Sequence, residues 1–213
     1  MRLILASGSP RRRELLSRIA IPFDVQVADI DESVGDHDHA RTYAQAMSSG
    51  KAREIARRMG GMPTGAHADD VLILAADTVV ARQEHILGKP VDREDARRML
   101  RVLSDGWHDV ITGMTLLHPA SGVERTEAEV TRVKFRLLDE ALIERYLDTD
   151  EPFDKAGAYG VQGYGSLLVE GIEGDYYNVM GLPLHRLARM LEAFSCEPLS
   201  WLDRRGEGES AVT

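Results

Sequence analysis

The segment that most constrains the fold lies near the N-terminus, where an apolar strand leads into a helix opened by three arginines. Residues 3–13 read Leu-Ile-Leu-Ala-Ser-Gly-Ser-Pro-Arg-Arg-Arg. Ser9 suits the N-cap of this helix, and Pro10 suits its first turn because a missing N–H costs nothing there. Backbone N–H groups, serine hydroxyls and guanidinium groups are therefore expected to meet at one point.

This turn has two interpretations. It is either an ordinary strand-to-helix turn with a solvated basic helix start, or a site for an anion such as a polyphosphate. Cations at a helix N-terminus oppose the helix dipole, so three of them at this position need a reason. The unfavourable placement of these three cations therefore favours the anion site.

Composition limits the classes of protein that this chain can belong to. With 213 residues, of which 43% are hydrophobic and 29% charged, it can bury a full core as one domain or two apposed lobes. A net charge of −9 argues against general binding of nucleic acids or anionic membranes, so a local basic cluster suggests a small anionic ligand. The single Cys196 excludes an internal disulfide and a cysteine-based metal site, which favours the cytoplasm. We expect neither a signal peptide nor a membrane span, since no apolar run approaches ~18 residues.

Helical and strand patterns alternate along the chain, with one long hairpin, which predicts a mixed sheet flanked by helices. The predicted strands are Arg2–Ala6, Phe23–Val27, Val71–Ala76, His108–His118 and Glu127–Leu137. The predicted helices are Arg11–Ala20, His39–Met59, Asp92–Leu103 and Asp139–Leu147, with a last one around Leu184 to Leu191. Alternation in the second hairpin strand predicts core positions at Thr131, Val133, Phe135 and Leu137. Residues 196–213 are polar and predict a mobile tail.

Asp77 follows the continuous apolar run Val71–Ala76 and is predicted to stand at the exit of that buried strand. An ionised carboxylate taken out of water costs several kcal/mol unless it is paired or binds a metal. The exit of a core strand in an α/β protein is a common place for a catalytic base or a metal ligand. The alternative is an aspartate that only caps a helix or a turn.

Two lysines are candidates for the same cleft. Lys51 lies between Met47 and Ile55 in an apolar stripe of i, i+4 neighbours. It either extends its ammonium group to solvent, as lysines in such stripes usually do, or meets a phosphate in a cleft. Lys89 occurs in the stiff turn Gly88–Pro90, a tripeptide that does not decide its role by itself.

Two further segments remain open on their residues alone. Asp31 and Glu32 are either solvated loop acids or carboxylates for a divalent ion, since Mg²⁺ prefers one or two carboxylates with phosphate oxygens and water. Residues 151–165 place Asp154, Lys155 and Gln162 among several glycines. That composition is typical of a shaped binding loop, or of a cluster of surface turns.

Taken together, these segments resemble the Maf family of nucleoside triphosphate pyrophosphatases. They keep the family's order from residue 3 to about residue 193: Ser7–Leu15, Asp31–Glu32, Lys51–Ala52, Ala76–Val80, Gly88–Pro90, His108–Gly113, Thr131–Phe135, Glu151–Gly165 and Gly181–Pro183. The chain departs from the family at Ser104–Gly106, at the loop Gly60–Asp70 and in its tail. None of these departures touches a motif with a chemical role.

The resemblance implies an elongated mixed α/β fold with two lobes around a deep nucleotide-binding cleft, in one catalytic domain over residues 1–195. It implies hydrolysis of a nucleoside triphosphate to the monophosphate and pyrophosphate, with Asp77 as proton acceptor. Glu32 and Asp77 would hold the divalent metal, Mg²⁺ or Mn²⁺. The residues implied to bind the phosphates are Ser7, Ser9, Arg12, Lys51 and Lys89.

Three positions distinguish the branches of the family, and here they are Arg11, Thr78 and Gln162. This trio resembles the branch acting on dTTP and UTP, and the Gln162 amide can both donate to and accept from a uracil or thymine edge. The branch that prefers 7-methyl-GTP has an aromatic residue, Gln and Glu there instead. A nucleotide-binding regulator of septum formation is the alternative from another class, although an intact Asp77 favours an enzyme. Whether the chain is a monomer or a homodimer stays open.

Overall fold

The computed structural model describes residues 2–30, 39–60, 71–83, 85–197 and 199. Within them the strands are β1 (Arg2–Leu5), β2 (Phe23–Val25), β3 (Val71–Arg82), β4 (His85–Leu87), β5 (Trp107–His118), β6 (Val123–Phe135) and β7 (Val169–Glu173). The helices are α1 (Pro10–Arg18), α2 (Ala40–Met59), α3 (Arg93–Leu103), α4 (Glu140–Leu147), α5 (Tyr176–Met180) and α6 (Leu184–Glu192). Short 3₁₀ turns cover Glu151–Asp154, Ala156–Ala158 and Tyr164–Leu167. None of the helices in this part of the chain is long and apolar enough to cross a membrane.

The described strands form one mixed sheet in the order β2-β1-β3-β5-β6-β7, with β4 also pairing with β3. β1 runs parallel to β2 and β3, whereas the other pairings are antiparallel. β5 and β6 form the predicted long hairpin, with register partners from Trp107 and Lys134 to His118 and Val123. The predicted mixed α/β class is therefore confirmed.

Helices cover both faces of the sheet around β3, because alternate side chains of a strand point to opposite faces. On one face Ile73 and Ala75 cluster with Ala52 and Ile55 of α2. On the other face β3 packs with residues of α1 and α6. Burial on both faces explains why Val71–Ala76 is a continuous apolar run rather than an alternating one.

α2 comes unusually close to β5 at Gly113. A Cβ atom added to Gly113 would lie 2.2 Å from the carbonyl oxygen of Ala44. Since backbone atoms cannot move aside as the end of a flexible side chain can, the glycine allows the helix to pack at this depth.

The predicted helix starts agree with the structure to within one or two residues. The Asp92 carboxylate caps α3 by accepting a hydrogen bond from the Asp95 amide at 2.8 Å. Asp139 caps α4 in the same way, through the Leu142 amide at 2.8 Å. β4, β7 and α5 were not predicted, because elements of three to five residues are too short to show a periodic pattern.

Several predicted strand ends were wrong: β2 ends at Val25 rather than Val27, β6 begins at Val123 rather than Glu127, and two further differences change the site and the core. β3 does not stop at Ala76 but continues to Arg82, because its second half pairs with β5 from Asp77 opposite Gly113 to Ala81 opposite Asp109. Asp77 therefore lies inside the strand and not at its exit. β6 ends at Phe135, after a register shift against β7, so Leu137 is 68% exposed and is not a core residue.

Some predictions fall outside the described residues. These are Asp31 and Glu32, most of the loop predicted at positions 60–70, and the tail from position 200 onward. The assignment of residues 1–195 to one catalytic domain with two lobes stays a prediction.

Candidate active site

The site begins with a gap along one edge of β3. β5 follows the opposite edge from Ile73 to Ala81. On the first edge β1 pairs only as far as Leu74, and β4 joins only from Val80. No described strand pairs with residues 75–79 on that edge, and Asp77 lies in the middle of this stretch.

A cavity of about 980 Å³ opens at this gap. It is lined by all the predicted site residues that lie in the described part of the chain: Ser7, Ser9, Arg11, Arg12, Lys51, Asp77, Thr78, Lys89 and Gln162. Residues far apart in the sequence thus meet around one space. Glu32, the remaining predicted residue, lies outside the described ranges.

Lys51 and Asp77 form an ion pair at the centre of the site. The Lys51 ammonium donates to Oδ1 of Asp77 at 2.7 Å, and the two side chains are only 10% and 13% exposed. The position of Lys51 on the α2 face that covers β3 brings the two together. Of the two interpretations of Lys51, the structure therefore supports the one in which its ammonium group enters the cleft.

Arg12 is the buried member of the arginine run. Its Nε donates to the carbonyl of Gly181 at 2.8 Å, its Nη1 to the hydroxyl of Ser7 at 3.0 Å, and its Nη2 to the hydroxyl of Thr78 at 3.0 Å. These contacts hold the guanidinium group in the cavity wall. Arg13, by contrast, is exposed and does not line the cavity.

The turn before α1 differs in detail from a standard cap. Ser9 occupies the N-cap position, but its side chain makes no capping hydrogen bond. Its amide instead donates to the Ser7 hydroxyl at 3.2 Å. The Ser9 hydroxyl is therefore not used to cap the helix, and it lies on the wall of the cavity.

Arg11 spans the cavity rim to the segment after α4. Its Nη1 lies 3.3 Å from Oδ2 of Asp154, whose other oxygen accepts a hydrogen bond from Lys155 at 2.5 Å. Burial alone would raise the pKa of Asp154, but the hydrogen bond from Lys155 and the charges of Lys155 and Arg11 hold the pKa below its usual value. One carboxylate thus faces two cations at the mouth of the site.

Glu151 organises the loop that carries Gln162, a role that the sequence did not reveal. Its carboxylate accepts hydrogen bonds from the amide of Tyr164 at 2.8 Å, the amide of Gly165 at 2.9 Å and the hydroxyl of Tyr146 at 2.9 Å. A Cβ atom on Gly163 would lie 1.8 Å from this carboxylate. The available sequence signal for this role was the group of glycines that follows Glu151 within residues 151–165. Gln162 itself is exposed and lines the cavity.

Lys89 also lines the cavity, just after β4. The side chain is exposed, and the preceding Gly88 carbonyl accepts a hydrogen bond from the amide of Gly157 at 3.0 Å. This contact ties the lysine turn to the segment that follows Glu151. The Gly88–Pro90 tripeptide therefore belongs to the site.

A second contribution that the sequence did not reveal comes from His108, which is buried beneath the cavity wall. Its Nε2 lies 2.9 Å from the hydroxyl of Tyr159, a cavity-lining residue, and its buried Nδ1 has no hydrogen-bond partner among the described residues. Burial, together with the charge of Arg82, lowers the pKa of His108 from 6.5 to about 3. The imidazole is thus neutral, and its hydrogen bond fixes the Tyr159 hydroxyl beneath the cavity wall.

The residues present can be tested for their fit to a divalent metal. In the described ranges no group of three or more His, Cys, Asp or Glu residues could enclose one. Asp77 supplies a carboxylate at the cavity, and Mg²⁺ is usually held by one or two carboxylates together with substrate phosphates and water. The donor set fits a metal that arrives largely on a phosphate ligand.

Comparisons with known proteins identify the family of this chain. The family model described as Maf-like protein matches residues 2–194. A protein of Acetivibrio thermocellus named dTTP/UTP pyrophosphatase is 44% identical over 199 residues, covering 93% of this chain and 98% of its own. A protein of Halalkalibacterium halodurans with the same name is 47% identical over 190 residues, covering 89% of this chain and 94% of its own.

The crystal structure of a nucleoside-triphosphatase, or dITP/XTP pyrophosphatase, from Mycobacterium abscessus aligns over 63% of this chain and 74% of its own. At 16% identity and a TM-score of 0.39, that likeness is too low to support an argument.

Proposed function

This chain belongs to the Maf family, and from that premise we propose that it hydrolyses dTTP and UTP to the monophosphate and pyrophosphate. The observation that carries the proposal is the Lys51–Asp77 pair, which lies at the strand gap inside a cavity lined by cationic side chains. The relatives of Acetivibrio thermocellus and Halalkalibacterium halodurans, both named dTTP/UTP pyrophosphatase, support it across most of the chain.

In the proposed reaction Asp77 is the proton acceptor. A water oxygen forms a bond to the α-phosphorus, and the bond from that phosphorus to the oxygen bridging to the β-phosphate breaks. Asp77 takes a proton from the water, and pyrophosphate leaves with the bridging oxygen. Lys51 fixes one carboxylate oxygen at 2.7 Å, so the geometry leaves Oδ2 to act as the base.

The phosphate groups would be held by cations and hydroxyls from three segments: the turn into α1 with α1 itself, α2, and the turn after β4. Negative charge grows on the phosphate oxygens and the leaving group as the bond breaks, so preorganised donors stabilise the transition state. We assign this work to Arg12, Lys51 and Lys89, with Ser7 and Ser9 as hydroxyl donors.

We also propose that the reaction uses Mg²⁺ or Mn²⁺, with Asp77 and Glu32 as protein ligands. Such an ion would supply Lewis-acid neutralisation of phosphate charge. Of these two proposed ligands only Asp77 lies in the described residues, and the substrate phosphates and water would complete the coordination.

Base choice is assigned to the rim of the cavity. Gln162 offers an amide that can donate to one uracil or thymine carbonyl and accept from the ring N–H. Arg11 lines the same cavity, beside Asp154. Thr78 completes the trio that resembles the dTTP/UTP branch.

The single cysteine and the nucleotide substrate also favour a cytoplasmic location.

The test is release of pyrophosphate from a panel of dTTP, UTP, CTP, GTP and 7-methyl-GTP, each with Mg²⁺ and with Mn²⁺. We expect the highest kcat/KM for dTTP and UTP, and no activity when the divalent ion is removed with a chelator. Preference for 7-methyl-GTP would move the chain to the other branch of the family. Nucleotide binding without pyrophosphate release would instead favour the regulator of septum formation.

A further inference from the structure

Behind Arg12 the structure contains a chain of hydroxyl groups whose hydrogen-bond directions can be assigned. The Thr112 hydroxyl donates to the backbone carbonyl of Asn178 at 3.2 Å. A threonine hydroxyl has one proton, so Thr112 must accept in its 2.9 Å contact with the Thr78 hydroxyl. Thr78 therefore donates to Thr112, and it accepts the hydrogen bond from Nη2 of Arg12 at 3.0 Å.

The far end of this chain is rigidly held. Thr112 and Asn178 are completely buried. The Asn178 side-chain amide donates to the carbonyl of Val110 at 2.9 Å and to the hydroxyl of Thr131 at 3.0 Å, which fixes α5 against the sheet. Hydrogen bonds in series polarise one another in a buried environment, so each strengthens its neighbour. The orientation of Thr78 is thus set from inside the protein.

We propose that Thr112 is a positioning residue, which acts through Thr78 to hold the Arg12 guanidinium in its orientation for the substrate's phosphates. The inference rests on the proposed function and deepens it. Because the only proton of the Thr78 hydroxyl goes to Thr112, Thr78 has no hydroxyl donor to offer a nucleobase. Thr78 then contributes to phosphate binding through Arg12, and base reading falls to Gln162 and Arg11.

The experiment replaces Thr112 by Val, which keeps the shape and removes the hydroxyl, and by Ser, which keeps the hydroxyl. Thr115→Val is the matched control. Thr115 is equally buried on β5, but its hydroxyl contacts Ser48 at 3.0 Å and Thr126 at 2.9 Å, and it does not line the cavity. Each variant is measured for thermal stability, for steady-state kinetics with dTTP and 7-methyl-GTP, and for calorimetric affinity for pyrophosphate.

We expect Thr112→Val to raise KM for dTTP and to weaken pyrophosphate binding about 10-fold, the effect of loosening one hydrogen bond to a charged group. The ratio of dTTP to 7-methyl-GTP activity should stay unchanged. Thr112→Ser should behave like the wild type, and Thr115→Val should lose comparable stability but keep its KM.

Three outcomes would overturn the positioning role: wild-type KM and pyrophosphate affinity in Thr112→Val, an equal loss in Thr115→Val, or a changed ratio between the two nucleotides. The proposed function fails in a different way, through a wild-type protein that does not release pyrophosphate from dTTP or UTP. The pyrophosphate affinities would still decide the role of Thr112 in that case.

Discussion

The ammonium group of Lys51 lies 2.7 Å from Oδ1 of Asp77, although one residue belongs to α2 and the other to the middle of β3. The pair forms where β1 has ended and β4 has not yet begun, so a carboxylate within the sheet remains accessible from the cavity. Because both side chains are largely buried, the ion pair compensates charges that would be costly to bury alone.

Asp77→Asn is predicted to abolish turnover in a protein that still folds, although with a lower free energy of unfolding because Lys51 loses its partner. Asparagine is nearly isosteric but cannot accept the proton of the attacking water, and general bases contribute typically ~10²–10⁴-fold. Pyrophosphate release at saturating dTTP is the measurement. Asp109→Asn, on the neighbouring β5 and outside the cavity lining, is the control and should keep full activity. An Asp77→Asn protein with more than about a tenth of wild-type activity would remove Asp77 from the base role.

Lys51→Met is predicted to impair both catalysis and stability. The apolar stripe between Met47 and Ile55 by itself suggests that methionine would be tolerated, but the ion pair changes that expectation. Removing one partner of a buried pair leaves the other charge uncompensated, at a cost of about 3 kcal/mol in the free energy of unfolding. Urea unfolding at neutral pH measures it.

A double-mutant cycle separates the ion pair from the packing of the lysine stem. Lys51→Met combined with Asp77→Asn removes both charges, so its stability should recover most of the loss seen in Lys51→Met. If the two single effects simply add, then the ion pair does not couple these residues, and the loss comes from packing alone.

Local patterns predicted the parts of this site that depend on one element. The i, i+4 stripe placed Lys51 correctly on the covered face of α2, and Asp92 and Asp139 marked the starts of their helices. The register of Asp77 could not be found in this way, because the second half of β3 is a strand only through its pairing with β4 and with β5, whose partner residues lie 28 to 36 residues later in the chain. The role of Glu151 was missed for a similar reason, since its partners are the amides of a loop with no regular pattern of its own.

Gly113→Ala is predicted to destabilise the protein by about 1–3 kcal/mol or more. The added methyl group would lie 2.2 Å from the Ala44 carbonyl oxygen, and relief requires moving all of α2 away from the sheet. Gly171→Ala in β7 is the matched control, because its Cβ atom meets nothing within 4 Å. Chemical denaturation of both variants tests the prediction, and equal stabilities would contradict the close packing of α2 on β5.

His108 predicts a pH dependence of stability. Its pKa is about 3 in the folded protein against 6.5 without burial, so between these values the unfolded chain binds the extra proton and stability falls as the pH falls. A single such group contributes a slope of up to about 1.4 kcal/mol per pH unit. In His108→Gln this part of the slope should disappear between about pH 6.5 and 4, as measured by urea unfolding in a buffer series. His85→Gln, at an exposed position in β4, should keep the wild-type slope, and an unchanged slope in His108→Gln would show that other groups control it.

Gln162→Glu is predicted to lower kcat/KM for dTTP and UTP by roughly 10- to 100-fold, because the lost amide donor leaves a base carbonyl facing a negative oxygen. Affinity for pyrophosphate should not change, since the phosphate ligands lie elsewhere in the cavity. This measurement separates base reading from general damage to the site.

Adding Arg11→Trp and Thr78→Gln to Gln162→Glu should shift preference further towards 7-methyl-GTP, because the indole offers a stacking face to a cationic ring. If Thr78 acts through Arg12, its replacement should also weaken pyrophosphate binding in the triple variant, whereas Arg11→Trp with Gln162→Glu alone should not. A triple variant with the wild-type pyrimidine preference would show that these side chains do not read the base.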